Sequence, residues 1–209
     1  MTRVMLVDDH EVVRMGFRML LATAGIEVVA EAATGEDACR MVGEAGADVV
    51  VMDLSMPGMG GMEAIRRMLA RDPGTRVLAL SALEAIAYPQ RVFKAGALGF
   101  LPKRGAPEAL IDAVRTVAAG RRYLDPQTAQ RMALAQVSGE ANPSDVLTER
   151  EFAVFLQLAQ GQGVAAIADS LKVAPSTVGT HLYNVKQKLQ AANQAELTLI
   201  ALRWGLIQA

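Results

Sequence analysis

Apolar residues in the first 120 positions follow two alternating rhythms: short, nearly unbroken runs, and longer stretches where they recur every three or four residues. Residues 4–7, 49–52, 77–80 and 98–101 are runs of the first kind, each bounded by turn signals. Such runs suit strands covered on both faces. Residues 27–30 read as a more polar strand at a sheet edge. Between the strands the longer period predicts helices. One spans residues 11–24, with Val12, Val13, Met15, Met19 and Leu20 on its apolar side. A second is capped by Thr34, with Asp37 three residues on, and is closed by Gly46. Others cover residues 60–69, 89–96 and 107–120. Five strand–helix units in alternation predict an α/β domain: a five-stranded, doubly wound parallel sheet with helices on both faces.

From Arg121 the rhythm is helical throughout. Asp125-Pro126 opens a short helix to residue 137, and residues 138–144 read as a linker. Thr148-Glu149-Arg150-Glu151 is a capping box whose helix buries Phe152, Phe155, Leu156 and Leu158. Helices over residues 164–171, 175–190 and 194–204 follow, the first two joined by the three-residue turn 172–174. The chain therefore divides into an α/β domain at 1–120, a linker with a short helix at 121–145, and a small all-α domain at 146–209.

With 52% apolar and 21% charged residues, the 209-residue chain has ample core material and is not disordered. No apolar run reaches the roughly 20 residues of a membrane span. The first three residues lead straight into a strand, leaving no room for a secretory signal. Cys39 is alone and reads as a small helical core residue. Together these predict a cytoplasmic protein without membrane insertion. Net charge is −2 over residues 1–120 and +1 over 146–209. Composition thus offers no basic footprint for nucleic acid, and any DNA reading has to come from pattern.

Polar residues stand directly after four strands: Asp8-Asp9, Asp53, Ser81 and Lys103. Open parallel sheets bind ligands beyond the carboxyl ends of their strands, so these side chains share one rim. Converging carboxylates repel, and stay ionised together around a divalent cation. Mg²⁺ keeps several waters and so leaves room for a phosphoryl group. An Asp in such a place can become an aspartyl-phosphate. Lys103 would supply a balancing charge and Ser81 a hydroxyl donor. His10 reads as a helix-start residue rather than a metal ligand, and Asp48 as preceding its strand. Met15, Met19, Met41, Met52, Met62 and Met68 read as core filler.

The order Asp8-Asp9, Asp53 with Met56-Pro57 and Gly61, then Ser81, then Lys103 strongly resembles the receiver domain of bacterial two-component response regulators. Val7-Asp8-Asp9-His10-Glu11-Val12-Val13-Arg14-Met15-Gly16 and Ala95-Gly96-Ala97-Leu98-Gly99-Phe100-Leu101-Pro102-Lys103 resemble its NarL/FixJ branch. The resemblance implies a flavodoxin-like receiver. It implies Asp53 as the acceptor of a phosphoryl group from a cognate sensor histidine kinase. Mg²⁺ would be held by Asp8, Asp9, Asp53 and the backbone carbonyl of Ser55. Ser81 and Phe100 would be the switch pair, and Lys103 the partner of the phosphoryl group. Such a domain is not an enzyme, although it assists its own phosphoryl transfer and dephosphorylation. A hydrolase of the haloacid-dehalogenase type also uses an Asp nucleophile with Mg²⁺, but it wants a second Asp where this chain has Ser55.

In the C-terminal domain, helix, short turn and helix form a helix-turn-helix arrangement. Val178, Leu182, Val185 and Leu189 make the buried stripe of residues 175–190. The other side presents Ser176, Gly179, Thr180, Tyr183, Asn184, Lys186 and Gln187 toward a major groove. The same pattern serves a small bundle for protein contact, and the residues alone leave both open. Leu147-Thr148-Glu149-Arg150-Glu151, Ile167-Ala168, Thr177-Val178, Lys188-Leu189 and Glu196-Leu197 resemble a LuxR-type DNA-binding domain. Arg122-Tyr123-Leu124-Asp125-Pro126-Gln127 and the segment from Glu196 to Leu206 look most like the GacA/UvrY group. This implies a phosphorylation-controlled transcription regulator. It would contact promoter DNA through Ser176, Thr177, Gly179, Thr180, Tyr183, Asn184, Lys186 and Lys188, and form a homodimer when phosphorylated or on DNA. Gly163, Ala166, Ala174 and Gly179 depart from the family pattern, and predict weak or dimer-dependent DNA binding, or a drift toward a protein partner.

Overall fold

The computed structural model describes residues 1–82, 87–105, 107–137, 143–204 and 206–207. It separates into two compact units, Met1–Ala82 with Arg91–Ala129, and Leu83–Gln90 with Gln130–Ala209.

The first unit follows the alternation. Its elements are β1 (Arg3–Val7), α1 (Glu11–Thr23), β2 (Glu27–Ala32), α2 (Gly35–Ala45), β3 (Val49–Asp53), α3 (Gly60–Arg71), β4 (Val77–Ser81), the second half of α4 (Ala87–Lys94), whose residues 87–90 belong to the second unit, β5 (Gly99–Pro102), α5 (Pro107–Ala118) and β6 (Tyr123–Leu124). The sheet is parallel in the order β2-β1-β3-β4-β5-β6. A sixth strand thus joins the five expected. It is two residues long, too short for a periodic signal, and forms because the Tyr123 amide donates to the Leu98 carbonyl at 2.9 Å beside β5.

Val4, Leu6, Val49, Val51, Leu78, Leu80 and Leu101 pack with Leu21, Leu110, Val114 and Val117 of α1 and α5. Their alternates Met5, Val50, Met52, Ala79 and Phe100 are buried too, as strands covered on both faces require. The caps of α2 are as expected: the Thr34 hydroxyl accepts from the Asp37 amide at 3.1 Å, and Gly46 closes the helix at φ 58°. Helix α1 is rotated from its predicted orientation. Phe17, Leu20, Leu21 and Ala24 meet the core, while Val12, Met15 and Met19 are 75%, 47% and 64% exposed. Both stripes have helical spacing, and only the sheet decides between them. Of the methionines read as core, Met52 and Met68 are buried, while Met41 joins Met15 and Met19 at the surface.

The second unit is helical: α6 (Pro126–Val137) runs into it, followed by α7 (Pro143–Val146), α8 (Glu149–Ala159), α9 (Val164–Leu171), α10 (Pro175–Leu189) and α11 (Gln194–Arg203). Most of the expected linker lies outside the described residues, and its end forms α7. The capping box of α8 is closed in both directions. Phe152, Phe155, Leu158, Ile167, Val178, Val185, Leu197, Ala201 and Trp204 build one core. Leu197, Ala201 and Trp204 are therefore core of this unit, and Leu199 is an exposed large apolar residue of α11.

Candidate functional site

The strand order reverses between β1 and β3, where an open α/β sheet forms its ligand crevice. Asp8 and Asp9 follow β1, and Asp53 ends β3. Gly61 lets α3 start close behind that strand. A Cβ at this position would fall on the Asp53 carbonyl oxygen and within 2.7 Å of Leu54 Cα, so no other residue fits.

Lys103 reaches in from the end of β5. Its ammonium donates to Asp8 Oδ2 at 2.5 Å and Asp53 Oδ2 at 2.8 Å. Asp8 and Asp53 are 4% and 1% exposed, so the three groups form a buried ionic cluster. Burial draws the lysine pKa down, but hydrogen bonds to Asp53 and Asp8, and their charges, outweigh it and leave the pKa above its ordinary value. The remaining oxygens are held by backbone: the His10 amide donates to Asp8 Oδ1 at 2.9 Å, and the Ser55 amide to Asp53 Oδ1 at 3.0 Å. Ser81 is buried, and its carbonyl accepts from the Lys103 amide at 2.7 Å. Phe100 pairs with Ala79, two residues before Ser81, so both side chains belong to one face of the sheet.

Ligand atoms of Asp8, Asp9, His10 and Asp53 all lie within 4.8 Å of one another. Asp9 Oδ1 is buried and receives no hydrogen bond. Clustered carboxylate oxygens, one of them unsatisfied, are a donor set that fits a small divalent cation.

In the second unit α9, the turn and α10 have helix-turn-helix connectivity. Lys172 takes a left-handed conformation (φ 53°) to make the turn. Val178 and Val185 are buried, whereas Ser176, Thr177, Gly179 and Thr180 are exposed and Tyr183 is 64% exposed. Asn184 and Lys186 are half-buried. Lys188, which the LuxR-type resemblance placed among the DNA contacts, is engaged elsewhere: its ammonium donates to Glu151 Oε2 of α8 at 2.7 Å. The Glu151 carboxylate is buried and accepts, so it draws the lysine across its own helix bundle. Neither Gly163 before α9 nor Ala174 before α10 makes a side-chain cap. A Cβ on Gly179 would meet nothing within 4 Å.

Residues 4–115 match the response regulator receiver domain family, and residues 145–201 match the bacterial regulatory proteins of the luxR family. The response regulator GacA of Pseudomonas aeruginosa is 40% identical over all of this chain and 99% of its own length. The response regulator UvrY of Escherichia coli is 41% identical over all of this chain and 97% of its own. This chain is a two-component response regulator of the LuxR-type family. Its fold is also similar to the crystal structure of the response regulator ChrA of a heme-sensing two-component system, with 37% identity, a TM-score of 0.55 and 98% of each chain covered.

Two supports of the regulator's rim carry no signal in the sequence. Arg14 Nη1 donates to the Asp8 carbonyl at 2.6 Å while its Nε contacts Glu31 at 3.2 Å, which fixes the loop after β1. Glu36 Oε1 accepts from the Met59 amide at 3.0 Å and ties down the loop after β3. Each is a long side chain on or beside a helix, reaching a loop that only the tertiary fold brings near.

Proposed function

We propose that this response regulator accepts a phosphoryl group on Asp53 from a cognate sensor histidine kinase. Phosphorylation then switches its LuxR-type unit on promoter DNA. The observation that supports this most is the Lys103 ammonium set between Asp8 and Asp53, where it can follow the charge that an aspartyl-phosphate adds. Asp8, Asp9, Asp53 and the Ser55 carbonyl would hold Mg²⁺. When bound, that ion neutralises charge on the phosphoryl oxygens. Ser81 then donates its hydroxyl to a phosphoryl oxygen and Phe100 repacks on the same face of the sheet, a two-state element that couples the acceptor to output. The regulator is not a classical enzyme; its chemistry is its own phosphoryl transfer and dephosphorylation. It acts in the cytoplasm and as a homodimer when phosphorylated or on DNA, with the receiver at 1–120, the linker at 121–145 and the DNA-binding domain at 146–209.

Ser176, Thr177, Gly179, Thr180, Tyr183, Asn184 and Lys186 would face the DNA. Lys188 is left out because Glu151 holds it. A second reading, a phospho-switched regulator that binds a protein instead, is favoured by the uncapped α9 and α10 and by the bare Gly179. Phosphate incorporation from acetyl phosphate, followed by footprinting on genomic fragments, tests both. Incorporation lost in Asp53→Asn, with protection that needs Asp53, is the expected result. Incorporation that survives Asp53→Asn refutes the acceptor. Full incorporation without protection of any fragment refutes the DNA output.

A further inference from the structure

His10 lies on the loop that carries the acidic pair, and its backbone is pinned on both sides. Its amide donates to Asp8 Oδ1, and its carbonyl accepts from the Val13 and Arg14 amides at 3.1 Å each. It is the N-cap residue of α1, yet its side chain makes no capping bond, so the imidazole is not spent on the helix. Nδ1 instead lies 3.0 Å from Asp9 Oδ1 and 3.3 Å from Asp8 Oδ1. Neither approach is directed as a hydrogen bond, and Asp9 Oδ1 stays buried without a donor. A ring nitrogen and two carboxylate oxygens therefore converge without a directed hydrogen bond between them. A separation of about 3 Å is the distance between neighbouring ligands of a six-coordinate cation whose bonds are about 2.1 Å. A ligand edge therefore accounts for the spacing without the hydrogen bond an ion pair would make.

From this we propose that His10 Nδ1 is a further ligand of the divalent-cation site, and that it tunes the site's metal preference. An all-oxygen site favours Mg²⁺, whereas one imidazole adds affinity for Mn²⁺ and still more for Co²⁺, following ligand softness and the Irving–Williams order. The imidazole is 66% exposed, so it can swing onto an incoming ion and leave again. The wild-type site therefore takes Mg²⁺ through its carboxylates and holds Mn²⁺ or Co²⁺ through the carboxylates and His10 together. This inference rests on reading the rim as a cation site.

The test is pulsed electron paramagnetic resonance on the full-length protein loaded with Mn²⁺, with calorimetric titrations of Mg²⁺ and Co²⁺. Directly bound imidazole nitrogen couples to the Mn²⁺ electron spin. The coupling is expected in wild type, lost in His10→Ala and retained in His181→Ala, which removes the chain's other histidine. Co²⁺ affinity should fall at least about tenfold in His10→Ala, with Mg²⁺ affinity changing less than about twofold. Absence of nitrogen coupling in wild type, or its persistence in His10→Ala, overturns the proposal. So does an equal loss of both metals, which would mean the substitution only disturbs the loop. A wild-type protein that binds neither metal instead refutes the cation site itself. Unchanged thermal unfolding of His10→Ala in chelator is the check that the receiver still folds.

Discussion

Replacing Glu151 by Gln should make the DNA-binding unit less stable at neutral pH and less sensitive to acid. The Glu151 side chain is 5% exposed and accepts from Lys188 Nζ at 2.7 Å and from the Thr148 amide at 2.8 Å. Burial alone would raise its pKa, but the bonds from Lys188 and Thr148, and the Lys188 charge, outweigh it and lower the pKa from 4.5 to about 2. At about 1.36 kcal/mol per unit that difference corresponds to roughly 3.4 kcal/mol. Lys188 is 38% exposed, so solvent screens the pair, and about 1–2 kcal/mol is the expected net effect. Because the folded pKa lies below the unfolded one, the stabilisation is complete well above pH 4.5 and is lost as pH falls toward 2. About a quarter of it is gone at pH 4 and more than half at pH 3.

Glu151→Gln keeps the shape and removes the charge. It should lower the midpoint of this unit by about 5–10 °C at pH 7, with the gap closing steadily between pH 5 and pH 3. Trp204 is the chain's only tryptophan and is 6% exposed in this unit's core, so its fluorescence reports this unit selectively. A gap as wide at pH 3 as at pH 7, or none at pH 7, would refute the assignment of the stabilisation to the ionised pair.

Four other substitutions probe local structure. Ala174→Ser should supply the missing cap of α10 and raise the same midpoint by about 4–8 °C, for a gain near 1 kcal/mol; no gain would mean the hydroxyl cannot reach the helix amides. Gly179→Ala should stabilise by about 1 kcal/mol because its Cβ points into open space. Gly179→Lys should in addition strengthen DNA binding and steepen its salt dependence by about one phosphate contact, as read by titrations at several salt concentrations. Gly61→Ala should destabilise the receiver by about 3 kcal/mol or more, since the clash is with backbone that cannot give way; chemical denaturation that matches wild type would show that α3 shifts freely.

Much of the regulator was legible in residue order. Runs such as residues 49–52 suit buried strands, and alternation with helices predicts a parallel sheet whose strand ends share a rim. Asp8, Asp53 and Lys103 could therefore be placed together before any distance was known, and the structure sets the lysine ammonium 2.5 Å from Asp8 Oδ2 and 2.8 Å from Asp53 Oδ2. The caps at Thr34, Asp125 and Thr148 were equally local, because a cap needs only its own helix's first turn.

What the chain order left open was decided by contacts between distant segments. Helix α1 carries two apolar stripes, and only the position of the sheet turned Phe17 and Leu21 inward and left Met15 and Met19 outside. The two-residue β6 has no pattern of its own and exists because β5 offers an unpaired edge. Lys188 lies on a helix read as facing DNA, but a buried carboxylate 37 residues away claims its ammonium. His10 is the helix-start residue that its place after the acidic pair suggested, and only the fold in addition brings its ring nitrogen to 3.0 Å from Asp9. Periodicity and capping act within a turn or two of backbone and can be read along the chain. Which of two possible faces is buried, and which charge finds which partner, depends on segments that meet only after folding.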